Sequence, residues 1–201
     1  MKICLFARYP EKGKVKTRLA VKCGDGQALY LYKKMIATVL ESLSEFKEEF
    51  VVYYTGCEQN TAKGWLPDYQ LQKQAEGDLG EKLTAAMDDG FHSEQEKLIF
   101  IGADCIDLSP EIIHTTKAYL DEVDVVLGPS SDGGYYLIAM RHNSPELFQE
   151  IDWGTEVVFE QTLTKIYESN LSYKLLPELV DIDHWEDLPK DWQEEVEKLN
   201  V

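Results

Sequence analysis

The chain has 201 residues, 44% hydrophobic and 28% charged, with a formal net charge of −17 at pH 7. That length suits one domain spanning residues 1–201, and the apolar fraction suits an ordinary soluble core. No apolar run approaches the roughly 20 residues of a membrane helix, and acidity this strong argues against a broad nucleic-acid-binding face.

The opening "MKICLFARYP" lacks the apolar length and small-residue cleavage site of a secretory signal, so the cytoplasm is the expected location. Cys4, Cys23, Cys57 and Cys105 are scattered and read as reduced side chains rather than a disulfide framework. His92, His114, His142 and His184 also stand apart, with no zinc-ligand spacing.

"KICLFA" (Lys2 to Ala7) reads as a first buried strand. A basic stretch follows: between Met1 and Lys22 seven Lys and Arg residues stand against Glu11 alone. There is no G-x-G-x-x-G after the strand, and "EKGKVKT" lacks the first glycine and the Gly-Lys-Thr of a phosphate-binding P-loop. Lys14, Lys16 and Arg18 occupy alternate positions, which in an extended segment would share one face and converge on a polyphosphate. A solvated basic loop is the plain alternative.

Apolar residues at three- and four-residue steps predict a helix from Gln27 to Phe46, followed by a strand from Phe50 to Gly56. A weaker strand is expected from Leu71 to Gly77 and a helix from Gly80 to Phe91. At their junction, Gly77 and Gly80 permit close approach of a ligand, while Asp78 either meets a sugar hydroxyl or caps the helix.

The strongest strand signal is "KLIFIGAD" (Lys97 to Asp104). A carboxylate at the end of such an apolar run has no packing role, which makes Asp104 a candidate ligand for Mg²⁺ or Mn²⁺; Asp107 reads as a turn residue. Ser109 and Pro110 start a helix to Leu120. Strands "DVVLGPS" and "GGYYLIAM" then flank a turn in which Asp132, Gly133 and Gly134 can face a substrate. A helix from Thr155 to Tyr167, a strand from Tyr173 to Leu179 and an acidic final helix complete the pattern. Asp181 and Asp183 lie two apart and share a face if extended, although Asp183 with Glu186 also fits a capping box. Strands alternating with helices predict a mostly parallel α/β sheet, with ligands outside the carboxyl ends of its strands.

The order "KTRL", "GDLGEKL", "GADC-DL", "DGGYYLI", W-T-V and "DIDHWEDL" resembles the DUF2064 family, from Lys2 to about Leu188. That family is described as similar to GT-A superfamily glycosyltransferases and related to the guanylyltransferase that activates 2-phospholactate. The resemblance implies a GT-A, Rossmann-like, three-layer α/β/α sandwich. It implies that the N-terminal loop carries the nucleotide's phosphates, with Lys16 and Arg18 at the matching positions, and a metal on Asp104 and Asp183; Arg8, Lys14, Gly77, Asp78 and Gly80 are further nucleotide-binding candidates. Asp132, Gly133, Gly134 and Trp153 would lie on the acceptor side, with Lys16, Arg18 and Asp132 as the catalytic candidates; Trp153 is equally a core aromatic. Ile106 and Ala139 stand where relatives often carry proline and glycine. The expected function is Mg²⁺-dependent transfer from a nucleotide to a small acceptor. Nucleotidyl transfer from an NTP to a phosphorylated acceptor ranks first, glycosyl transfer from an NDP-sugar second, and a non-catalytic nucleotide-binding module third.

Overall fold

The computed structural model describes residues 1–93 and 97–199. Its elements run β1 (Lys2–Arg8), α1 (Thr17–Cys23), α2 (Asp25–Ser42), β2 (Phe50–Thr55), α3 (Gln59–Trp65), β3 (Gln70–Lys73), α4 (Leu79–His92) and β4 (Leu98–Ile101). They continue with α5 (Pro110–Tyr119), β5 (Val125–Pro129), β6 (Tyr135–Met140), α6 (Val158–Glu168), β7 (Tyr173–Leu175) and α7 (Lys190–Lys198). The helix expected from Gln27 to Phe46 begins at Asp25 and stops at Ser42, and its last turn is a separate 3₁₀ segment, Ser44–Glu49.

The strands form one sheet in the order β3-β2-β1-β4-β6-β5-β7. All pairings are parallel except those of β6, which runs antiparallel to both β4 and β5. The β5–β6 connection is short enough to be a hairpin, and a hairpin forces antiparallel pairing; the other strands return through helices or long segments.

Alternation along each central strand sends side chains to two different cores. Ile3, Leu5 and Ala7 of β1, Ile99 and Ile101 of β4, and Leu137 and Ala139 of β6 pack on one face beneath α2 and α5. Cys4, Leu98, Phe100, Ile138 and Met140 pack on the other, against Leu83, Ala86 and Met87 of α4 and Ile166 of α6. Because both faces are covered, these strands read as continuous apolar runs rather than half-polar ones. The result is the expected three-layer α/β/α sandwich. A third cluster joins α1, α2 and α7 through Leu19, Leu31, Met35, Ile182, Trp192 and Val196.

The parallel order brings the carboxyl ends of β1, β4 and β5 and the start of β6 to one edge. The segment after β7 returns along that edge: Leu179 N–H donates to Pro129 O at 3.1 Å, Ser131 N–H to Leu179 O at 3.1 Å, and Ile182 N–H to Asp104 O at 3.1 Å. Residues 181–183 are thereby laid beside the loops that follow β4 and β5.

Candidate functional site

Lys16 is the centre of the site. Its Nζ donates to Asp104 Oδ2 at 2.8 Å and to Asp183 Oδ1 at 2.7 Å, and its side chain is only 8% exposed. Arg18, from α1, donates from Nη1 to the other oxygen of Asp183 at 3.0 Å and is largely exposed. Burial opposes the Lys16 charge, but Asp104 and then Asp183 outweigh it, so the ammonium is held more firmly protonated than a free lysine. Burial likewise opposes ionisation of Asp183, yet Lys16 and then Arg18 hold its carboxyl below the usual range.

The basic stretch is not extended, contrary to the expectation from its alternate spacing. Lys16 has φ 45° and ψ 49°, the left-handed region, at the N-cap of α1. Arg18 is already helical. The alternate residues meet through a sharp turn into a helix, not along one strand face. Lys14 lies in the loop, 3.8 Å from Glu11, and both side chains are well exposed. Arg8 ends β1, where its N–H donates to the Tyr32 hydroxyl at 2.9 Å and its carbonyl accepts from that hydroxyl at 3.0 Å. Burial pushes the Tyr32 phenol up to about 12, which keeps it a donor. Arg8, Lys14, Lys16, Arg18, Tyr32 and Asp183 line a cleft of about 250 Å³.

The capping expectation for Asp183 also shifts. The carboxylate of Asp187 accepts from the backbone N–H groups of Asp183 (3.0 Å) and His184 (2.6 Å), so the cap belongs to His184 and Asp187. Asp183 and Glu186 form no such pair, and the Asp183 side chain is free for Lys16 and Arg18.

A second hollow, about 320 Å³, adjoins the cleft and shares Tyr32 with it. Asp104, Asp132 and Asp181 supply its charge, and Phe6, Tyr135, Tyr136 and Trp153 its aromatic wall; no Lys, Arg or His lines it among the described residues. Asp132 is aimed by its own turn: its Oδ1 accepts from Ser130 Oγ and from Gly134 N–H at 2.8 Å. Gly133 (φ +87°) presses on the chain leading into α6, where a Cβ would lie 2.2 Å from Glu156 O. Its carbonyl accepts from Phe159 N–H at 2.9 Å. Trp153 lines the hollow while packing edge-on to Tyr135, 6.3 Å between centroids, so it is both a wall and a core aromatic.

Gly77, Asp78 and Gly80 line neither the cleft nor the hollow. Asp78 caps α4 in a reciprocal box with Glu81, at 2.9 Å each way. The missing side chain of Gly80 serves packing, since a Cβ there would meet Phe148 O at 2.4 Å and Trp153 Nε1 at 2.6 Å. Of that stretch, Leu79 reaches the hollow.

Asp181 is the residue the sequence reading passed over as a site member. Its Oδ1 is buried without a hydrogen-bond partner, and burial, with Asp132 and then Asp104 nearby, pushes its carboxyl up to about 6. Its two-residue spacing from Asp183, with Ile182 turned into the core between them, was the available signal.

Asp104 and Asp183 suit a hard cation on two counts. Their oxygens already converge on one positive charge, the Lys16 ammonium, and Asp181 adds an unpartnered buried oxygen facing the same hollow. Among the described residues no cluster of three or more metal-ligating side chains could hold an ion unaided. Two carboxylates completed by phosphate oxygens is the arrangement Mg²⁺ favours.

Comparison with known proteins identifies the fold and the family. A crystal structure of a "putative nucleotide-diphospho-sugar transferase" from Desulfovibrio desulfuricans G20 is 32% identical, with a TM-score of 0.86, covering 92% of this chain and 84% of its own. The inositol-1-phosphate CTP transferase of T. maritima shares the fold at 16% identity and TM-score 0.63, over 98% of this chain and 95% of its own. So does the 4-diphosphocytidyl-2C-methyl-D-erythritol synthase of Anaerococcus prevotii DSM 20548, at 10% identity and TM-score 0.61, over 98% and 99%. No curated protein matches the chain. Residues 38–155 match the model of DUF2064, described as uncharacterized proteins conserved in bacteria. The chain therefore belongs to the DUF2064 family and carries the nucleotide-diphospho-sugar transferase fold.

Proposed function

We propose that the protein is a divalent-cation-dependent transferase that moves a nucleotidyl group from an NTP to a small phosphorylated acceptor. The observation that carries this reading is the division of charge at the sheet edge: a cleft lined by Arg8, Lys14, Lys16 and Arg18 beside a hollow with carboxylates and no cation. Polyphosphate belongs in the first. The uncharged body of the acceptor belongs in the second, with its attacking phosphate at the junction.

An acceptor oxygen attacks the α-phosphorus, the bond to the bridging oxygen breaks, and pyrophosphate leaves into the basic cleft. Lys14 and Arg18 neutralise charge there, with Arg8 also on the cleft wall. Asp132, fixed by Ser130 and Gly134, orients hydroxyls of the acceptor body. Asp104 and Asp183 would hold Mg²⁺ or Mn²⁺, which when bound supplies charge neutralisation to the phosphates. Solved proteins of this fold include enzymes named for CTP transfer and for diphosphocytidyl synthesis, which supports the reading.

One observation favours glycosyl transfer from an NDP-sugar as the second reading. Aromatic walls with carboxylates at the rim also suit a donor's sugar ring, and Asp132 would then serve as base toward the acceptor. Incubation with Mg²⁺, an NTP panel and sugar or polyol phosphates should release pyrophosphate. Release of nucleoside diphosphate from NDP-sugars, without pyrophosphate from NTPs, would reverse the ranking.

A further inference from the structure

We infer that the Lys16 ammonium and the divalent cation are alternative occupants of the Asp104–Asp183 pair, so that metal entry expels Lys16 into the basic cleft. The inference rests on the reading of Asp104 and Asp183 as metal ligands.

Lys16 Nζ sits between the two carboxylates at hydrogen-bond distance from both, 2.8 and 2.7 Å. A Mg²⁺ ion binds oxygen at about 2.0–2.1 Å. An ion on these same two oxygens would lie against the ammonium, and two cations in contact repel strongly where water is scarce. The pair holds one cation at a time.

The displaced side chain has a destination. Lys16 also lines the cleft with Arg8, Lys14 and Arg18, and its four-carbon stem is flexible while its backbone is anchored at the start of α1. Moved there without a ligand, the ammonium would give up two ion pairs to face like charges. Metal alone is therefore opposed. A polyphosphate in the cleft gives Lys16 new partners, and metal and polyphosphate each strengthen the binding of the other by the same factor. Arg18 differs: it touches only the outer oxygen of Asp183 and is exposed, so removing it leaves the Lys16 clasp in place.

Titration with Mn²⁺ alone, followed by electron paramagnetic resonance on the full chain, separates the outcomes. Lys16→Met should bind Mn²⁺ about tenfold more tightly than the unaltered protein, within the usual range of coupling between sites, while Arg18→Ala should change the affinity far less. Equal or weaker binding by Lys16→Met, with Mn²⁺ still bound by the unaltered protein, overturns the exchange and leaves the metal reading standing. No Mn²⁺ binding by either protein, alone or with a nucleoside triphosphate present, sinks the metal reading itself. A second readout needs no substitution: adding Mg²⁺ should raise reductive methylation of Lys16 several-fold as it leaves its carboxylates. Unchanged labelling in metal-loaded protein would also overturn the inference.

Discussion

Asp124 shows how much one carboxylate can tie together away from the site. Its Oδ1 accepts from Arg141 Nε (3.0 Å) and Nη2 (2.7 Å), and its Oδ2 from Ser172 N–H (2.9 Å) and Oγ (2.6 Å). The Ser172 hydroxyl first, against burial, then the Ser172 amide and Arg141, bring its carboxyl from 3.8 down to about 2. A depressed carboxyl stabilises the fold above its unfolded value and loses that contribution as pH falls through the folded one. The contribution is thus whole at neutral pH and fades between about pH 4 and pH 2. Asp124→Asn should lower stability by about 1–3 kcal/mol at pH 7 and by much less near pH 2. Urea unfolding at both values checks this; an equal loss at each would refute the ionic account.

At the scale of elements, the turn between β5 and β6 is held against the chain entering α6 by the closeness of Gly133 to Glu156 O. Any side chain must displace that backbone, and a left-handed φ adds strain. Gly133→Ala should cost roughly 2–4 kcal/mol, seen as a lowered urea midpoint. A cost below about 0.5 kcal/mol would mean the approach is easily relaxed. Most elements were legible because their signals are local: apolar runs for strands buried on both faces, and three- and four-residue spacing for α2. Asp104 was legible because a carboxylate has no packing role after "LIFI". What stayed hidden depends on single backbone torsions or on distant partners. The left-handed turn at Lys16 leaves no mark in a pattern of alternating basic residues. The cap chose Asp187 over Glu186 by one residue because the chain bends at His184, after its hydrogen bond to Asp104 has fixed Ile182. Asp181 became visible as a site member only when the parallel return beside β5 put it near Asp104 and Asp132.

The whole molecule carries a net charge of −17 but gathers Arg8, Lys14, Lys16 and Arg18 on one cleft. Salt should therefore act with opposite signs on two properties. Raising NaCl from about 0.05 M to about 0.5 M shortens the screening length to a few ångströms, relieving self-repulsion and raising the melting temperature. The same change should weaken inorganic triphosphate binding measured by calorimetry. A melting temperature that falls, or an affinity indifferent to salt, would contradict this account of the charge. On the proposed function, the division lets an acidic protein take up a polyphosphate, because the basic cleft is a local exception within a net negative molecule.

The hydrogen bond from Lys16 to Asp183 spans 167 positions of the chain, and this has a consequence for biosynthesis. Translation makes the basic loop well before Asp104, and Asp104 well before Asp183. An interrupted translation product ending before that segment carries the loop and Asp104 but cannot close the clasp on Lys16. Chains interrupted before residue 183 are thus left without the paired carboxylates, and the proposed metal site is complete only once that segment has been made.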